Sequence, residues 1–222
     1  MTDLTNTKKL NPEKYDSDKK TMLHYVKNYE EYFYPIMNEP VKLLELGVLN
    51  GGSVMMWRDY FEYGTIVGLD SKNVSIEDHD RIYLYQGFQE DTNLLTRIGE
   101  ERAPEGFDII IDDCSHIAKY TRTSFWHLFD HHLKHGGIYV IEDWGTGYSN
   151  KWPDGKTYEG TLGQDSKNPG NHLAGMVGFI KELIDECGAP DVTRNELAGF
   201  YLRDSKIAKI YFSVSHCFVF KK

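Results

Sequence analysis

The chain has 222 residues, 40% of them hydrophobic and 27% charged, which suits one large α/β domain with a core that needs no covalent staples. Its formal net charge of -9 argues against a nucleic-acid backbone as partner, because that binding rests on Lys and Arg neutralising phosphates. The N-terminus lacks the apolar core of a secretion signal, and no apolar run approaches the roughly 20 residues that cross a bilayer. Cys114, Cys187 and Cys217 show neither metal nor disulfide spacing, so the expectation is a reducing, cytoplasmic setting without membrane partners.

Residues 1–15 are polar and are expected to fray or wrap on the surface. A helix is predicted from Ser17, with Met22, Tyr25, Val26 and Tyr29 at helical spacing, so residues 1–40 read as a helical extension ahead of a main domain over 41–222. The first strand, Val41–Leu46, breaks at Gly47 and passes through Gly51 into a helix beginning near Ser53. Strand, glycine turn and helix place backbone N–H groups beside a ligand, and glycine lets the chain approach it closely. The spacing here is Glu45-x-Gly47-x-x-x-Gly51 rather than Gly-x-Gly-x-x-Gly, which favours a ligand without a diphosphate, such as S-adenosylmethionine.

Strands are then predicted at Thr65–Asp70, Arg81–Gly87, Phe107–Asp113 and Ile138–Asp143, separated by helices over Asn93–Glu101 and around Phe125, Leu128, Phe129 and Leu133. The second of these helices is expected to stop at Gly136-Gly137. The alternation implies a Rossmann-like, mostly parallel sheet. Trp144–Asn171 is rich in glycine and aromatic residues without periodicity, and reads as an active-site lid. His172–Cys187 reads as a helix capped by Asn171 and stopped at Gly188. Ile207–Val214 and Cys217–Lys221 form an antiparallel C-terminal hairpin.

Ligands of open parallel sheets bind beyond the carboxyl ends of the strands. There the sequence puts Asp70, Gln86, Gly87, Asp112, Asp113, His116, Glu142, Asp143 and Trp144. Acids converging from two neighbouring strands repel unless a cation intervenes, and oxygen ligands suit Mg²⁺, Ca²⁺ or Mn²⁺. His116 lies within reach of the same edge and can accept a proton near neutral pH. His131, His132 and His135 precede the fifth strand, at the opposite edge, and are read as a helix end favoured by its dipole.

With these residues in place the chain resembles a class I S-adenosylmethionine-dependent methyltransferase. Glu45-x-Gly47-x-x-x-Gly51 matches the first motif, Asp70 the ribose-binding acid, and the terminal hairpin the antiparallel last strand. Asp112-Asp113-Cys114-Ser115-His116 with Ile141-Glu142-Asp143 resembles the metal-dependent sugar O-methyltransferases of macrolide biosynthesis, of the mycinamicin type, and the cephalosporin hydroxylase/rhamnosyl O-methyltransferase group. Cys114 stands where a small residue is usual. The resemblance implies Asp113, Glu142 and Asp143 as Mg²⁺ ligands and His116 as the base. Ser17-Asp18-Lys19 with His24-Tyr25 and Tyr29 resembles a short N-terminal motif bordering the cofactor pocket.

The reading that follows is a Mg²⁺-dependent O-methyltransferase acting on a hydroxyl of a sugar or other small natural product, with a homo-oligomer allowed. Its cofactor set is Tyr25, Glu45, Gly47, Asn50, Gly51, Ser53, Asp70, Gln86, Gly87, Phe88 and Asp112, and Trp144, Tyr148 and His172 are assigned to the acceptor. A metal-independent methyltransferase and a nicotinamide-dependent oxidoreductase are the competing readings.

Overall fold

The computed structural model describes residues 10–21, 23–78, 80–156, 174–191 and 203–222. The strands are β1 (Lys42–Leu46), β2 (Thr65–Asp70), β3 (Ile82–Gln86), β4 (Phe107–Asp112), β5 (Leu133–Glu142), β6 (Ile207–Phe212) and β7 (His216–Lys221). They form a seven-stranded sheet in the order β3-β2-β1-β4-β5-β7-β6. β1 to β5 run parallel, and β7 is antiparallel to both β5 and β6. The order reverses between β1 and β4, which opens a crevice at their carboxyl ends.

Strand alternation divides the core in two. Leu43, Ile66, Ile109, Ile111 and Val140 face α1 (Leu23–Phe33) and α2 (Gly52–Tyr60), together with Leu10, Tyr29, Phe33 and Trp57. Leu44, Leu46, Val67, Ile110 and Ile141 face the other way, toward α3 (Thr92–Arg102), α4 (Ala118–His131) and α6 (Gly175–Cys187). The N-terminal segment therefore shares the core of the main domain from Leu10 onward, where the Leu10 N–H donates to Glu30 at 2.9 Å and Tyr15 to Asp59 at 2.6 Å.

Three expectations change. α4 ends at His131 and β5 already begins at Leu133, so Gly136-Gly137 lies inside the strand instead of stopping the helix. The β4–β5 register jumps from Phe107↔Leu133 to Ile109↔Ile138, and Gly136, at φ +76°, takes up the extra length. The front of the presumed structureless lid is folded: Trp144–Tyr148 is a 3-10 turn and Pro153–Lys156 a short helix, α5. Gly155 packs so closely there that a Cβ would fall 1.9 Å from the Ser149 carbonyl oxygen. The third change is that α6 starts at Gly175 after Ala174, while Asn171, His172 and Tyr158 lie outside the described residues, as does Met22.

Candidate active site

The glycine turn is shaped by its neighbours. Gly47 (φ +85°) lies against the next strand end, where a Cβ would stand 2.1 Å from the Asp113 carbonyl oxygen. Gly51 (φ +86°) is the N-cap of α2. Asp70 ties the turn down, its Oδ2 accepting from the Val48 and Leu49 N–H groups at 3.0 Å each. From the other side, Asn50 donates to Asp16 at 2.9 Å, and a Cβ on Gly52 would fall 2.0 Å from the Asp16 carbonyl oxygen. The N-terminal strap is thus pressed onto the start of α2.

Between these parts lies a cleft of about 690 Å³, within the range of small-molecule sites. Gly47, Asn50, Ser53, Asp70, Gly87, Phe88, Asp113 and His116 all line it, as predicted. Asp16, Asp18, Gln89, Tyr120 and Trp152 join them. Its acids (Asp16, Asp18, Asp70, Glu90 and Asp113) outnumber its lysines (Lys19 and Lys72). Such a lining suits a cationic sulfonium ligand and repels a diphosphate.

Other predicted residues sit elsewhere, for a reason of strand parity. Glu45, Asp112 and Glu142 lie within strands, so each points at a sheet face. Glu45 is fully buried and accepts from Ser53 Oγ at 2.7 Å and Trp57 Nε1 at 3.2 Å. Asp112 is buried on the opposite face with Gln89, Ser124 and Tyr139. Gln86 is exposed and donates to the Ser71 carbonyl at 3.3 Å. Neither Glu45 nor Asp112 nor Gln86 lines the cleft. Tyr25 donates to Asp143 from behind, Trp144 Nε1 donates to the Ser213 carbonyl at 3.3 Å, and Tyr148 belongs to the same 3-10 turn. Among the described aromatics of 144–156, Trp152 lines the cleft, its ring edge-on to His116 at 5.3 Å between centroids.

Asp113 and Asp143 each follow their strand by one residue, and of the two Asp113 lines the cleft. Asp113, His116 and Asp143 each offer a ligand atom, and the three atoms lie within 4.8 Å of one another. His116 Nε2 is 3.8 Å from Asp113 Oδ1 and 4.0 Å from Asp143 Oδ2. Both His116 (φ +53°) and Asp143 (φ +52°) adopt left-handed backbones, a strain of about 1 kcal/mol or more each that side chains at functional sites often carry. Just after His116, the Ala118 N–H at the start of α4 is capped by Asp154 of the α5 segment at 2.8 Å.

Glu142 differs from expectation. It stands behind this trio, accepting from Tyr29 and from Lys19 Nζ at 3.0 Å, and the same ammonium lies 2.8 Å from Asp113 Oδ2. Burial pushes both carboxyls up to about 7, Asp113 further through its repulsion with Glu142, while Lys19 pulls each back. Lys19 itself is driven down by burial, yet Asp113, Glu142 and Glu45 together hold it well above its ordinary value. The segment 17–19 was marked only through the family motif. Nothing in the hydropathy of a Ser-Asp-Lys-Lys run announces a buried ammonium whose partners lie up to 123 positions away.

The donor set fits a hard divalent ion: two aspartates with oxygens turned to a common opening, a third carboxylate behind them, and an imidazole alongside. The glycine turn, the acidic cleft and the sheet order are those of the class I methyltransferases, and the chain has that fold. Within it, the chain is 38% identical over 168 residues to demethylmacrocin O-methyltransferase of Streptomyces fradiae, covering 72% of this chain and 39% of that protein. It is 39% identical over 180 residues to mycinamicin VI 2''-O-methyltransferase of Micromonospora griseorubida, covering 78% and 42%. A solved structure of the MycE methyltransferase of the mycinamycin pathway, in complex with Mg, SAH and mycinamycin VI, superposes with a TM-score of 0.77 at 32% identity, over 97% of this chain and 54% of that one. The chain thus spans less than half the length of the two sequence relatives. No family model matches the sequence. Among the described residues, no helix is long and apolar enough to cross a membrane.

Proposed function

We propose that this chain is a Mg²⁺-dependent O-methyltransferase that uses S-adenosylmethionine to methylate a hydroxyl of a glycosylated small natural product. The observation that carries this reading is the meeting of Asp113, His116 and Asp143, with ligand atoms within 4.8 Å of one another, beside an acidic cleft that Asp113, His116 and the glycine turn line. A sugar acceptor is supported by a further relative, a 3'-O-methyltransferase of 8-demethyl-8-(2-methoxy-alpha-L-rhamnosyl)-tetracenomycin-C, 37% identical over 190 residues.

Asp113 and Asp143 would hold the ion through Oδ1 and Oδ2, with Glu142 as a third carboxylate once Lys19 yields it. When bound, Mg²⁺ supplies a Lewis acid that lowers the pKa of the acceptor hydroxyl, and S-adenosylmethionine supplies the methyl. His116 Nε2 is placed to take the proton that hydroxyl gives up, and a hard Mg²⁺ prefers oxygen, which leaves the imidazole free for this task. Trp152 covers the His116 ring on one side and limits its contact with water. Gly47 to Ser53 carry the methionine and ribose side of the cofactor, Asp70 the ribose, and Gly87 and Phe88 the adenine. Glu45, Gln86, Asp112 and Tyr25 act one step back, by holding the turn and the strand ends that make contact. Trp144, Tyr148 and His172 remain assigned to the acceptor side, with small molecules rather than nucleic acid as partners and a reducing cytoplasm as the setting.

Calorimetry with the full chain should show S-adenosylmethionine binding and no comparable NAD(P)H binding. Methyl transfer to a panel of glycosides should stop in EDTA and return with Mg²⁺. His116→Ala should lower turnover by about 10²–10⁴ with cofactor affinity unchanged. Turnover that persists in EDTA would remove the metal from the reaction, and near-native turnover of His116→Ala at neutral pH would place the base elsewhere.

A further inference from the structure

The acid cluster already contains a cation of its own. Lys19, in the 3-10 turn Asp18–Thr21, is 2% exposed, and its Nζ lies 2.8 Å from Asp113 Oδ2, 3.0 Å from Glu142 Oε1 and 3.7 Å from Glu45 Oε1. Three elements and the N-terminal strap converge on this one ammonium. Around it, Ser53 and Trp57 donate to Glu45, Tyr29 donates to Glu142, and Tyr25 donates to Asp143. His216, fully buried, holds Nε2 3.9 Å from Glu142 Oε2. Three carboxylates face one ammonium and Asp143 lies close by, so the cluster offers more carboxylate oxygens than Lys19 engages, and a divalent ion can claim the rest as their protons leave.

We infer that Lys19 is an internal counter-cation that keeps Asp113 and Glu142 assembled in the metal-free protein and competes with the divalent ion for them. The inference rests on the metal reading above. Lys19 bonds Asp113 through the oxygen turned away from His116, and it covers the Glu142 oxygen that a third ligand would use. An ion entering beside Asp113 meets a like charge a few ångströms away, in a site where screening is weak. Full engagement of Glu142 then requires Lys19 to withdraw. Lys19 is accordingly a positioning residue, and it sets how tightly the ion is held.

The test is a Mg²⁺ titration of the full chain without cofactor or acceptor, read by calorimetry and by melting temperature. Lys19→Met should melt below wild type when metal-free, bind Mg²⁺ at least tenfold tighter, and regain most of the lost melting temperature at saturating Mg²⁺. A lysine with a merely structural role would lower the melting temperature equally with and without the ion. The double variant Lys19→Met/Glu45→Gln removes one buried charge of each sign and leaves an acceptor for Ser53 and Trp57. It should fold more readily and also bind Mg²⁺ more tightly than wild type. Folded variants that bind Mg²⁺ no tighter than wild type overturn the inference and leave the metal reading standing, as does failure of both to fold at saturating Mg²⁺. A wild-type chain that takes up no Mg²⁺ overturns both.

Discussion

The two rims of the parallel sheet treat charge and backbone differently. At the amino ends of β4 and β5, Asp108 meets Lys134 at 2.7 Å, and the Lys221 ammonium sits on the carbonyls of Phe129, Asp130 and Leu133, closing the end of α4. At the carboxyl ends of the same strands, Asp113 and Glu142 are buried around a single lysine, and His116 and Asp143 carry left-handed backbones. The first rim uses its polar groups to finish secondary structure. The second keeps negative charge in excess and tolerates strain, which is where a protein departs from local consistency when a ligand is to complete the arrangement.

Glycines of similar φ on the two rims give the sharpest contrast. Gly47→Ala combines a positive φ with a Cβ 2.1 Å from the Asp113 carbonyl oxygen, and should cost about 2–4 kcal/mol and abolish cofactor binding. Gly136→Ala has φ +76° but nothing within 4 Å of the new Cβ, so about 1 kcal/mol from backbone strain alone is expected, with binding intact. Denaturant melts and cofactor calorimetry on the two variants check this, and equal effects would dissolve the distinction.

Lys221→Met should destabilise by about 1–2 kcal/mol, because the C-terminal carbonyls of α4 lose a half-buried donor, while Mg²⁺ and cofactor affinities stay unchanged. An accompanying loss of cofactor affinity would mean that the rims are coupled.

The smallest effect belongs to a tie away from the cleft, between Glu186 of α6 and Arg203. The Arg203 hydrogen bond holds the Glu186 carboxyl below its ordinary value. The unfolded chain therefore binds that proton more readily. The tie contributes its full stability above the unfolded value of about 4.3 and loses it as pH falls through the folded value. Arg203 is 58% exposed, so Arg203→Met should cost under about 1 kcal/mol at pH 7, with the gap from wild type closing as the pH falls below about 4. A gap that is constant from pH 7 to pH 3 would show that Arg203 acts through packing instead.

Much of this arrangement was legible in the chain itself. Apolar runs closed by glycine or acid located the first four strands to within a residue or so and the end of the fifth, and the short C-terminal connection required the antiparallel hairpin. The positive φ of Gly47 and Gly51 is legible because a tight turn between strand and helix needs glycine at those places, and Gly47 and Asp70 line the cleft. Asp113, Asp143 and His116 come together as their places at adjacent strand ends imply. Where the structure separates residues that adjoin in the sequence, the reason is strand parity. Glu142 and Asp143 are consecutive, yet one points at α1 and the other toward Asp113 and His116. Asp112 and Asp113 part in the same way.

What the sequence determined by itself is the order of the elements, the place of the glycine turn and the set of acids available at one edge, since hydrophobic periodicity and backbone freedom are local properties. What only the tertiary structure decided is which acids face the cleft, and that Lys19 fills the space between them. Those outcomes depend on where each strand stops in its two-residue alternation and on a contact spanning 94 positions, and burial and charge pairing act through space rather than along the chain.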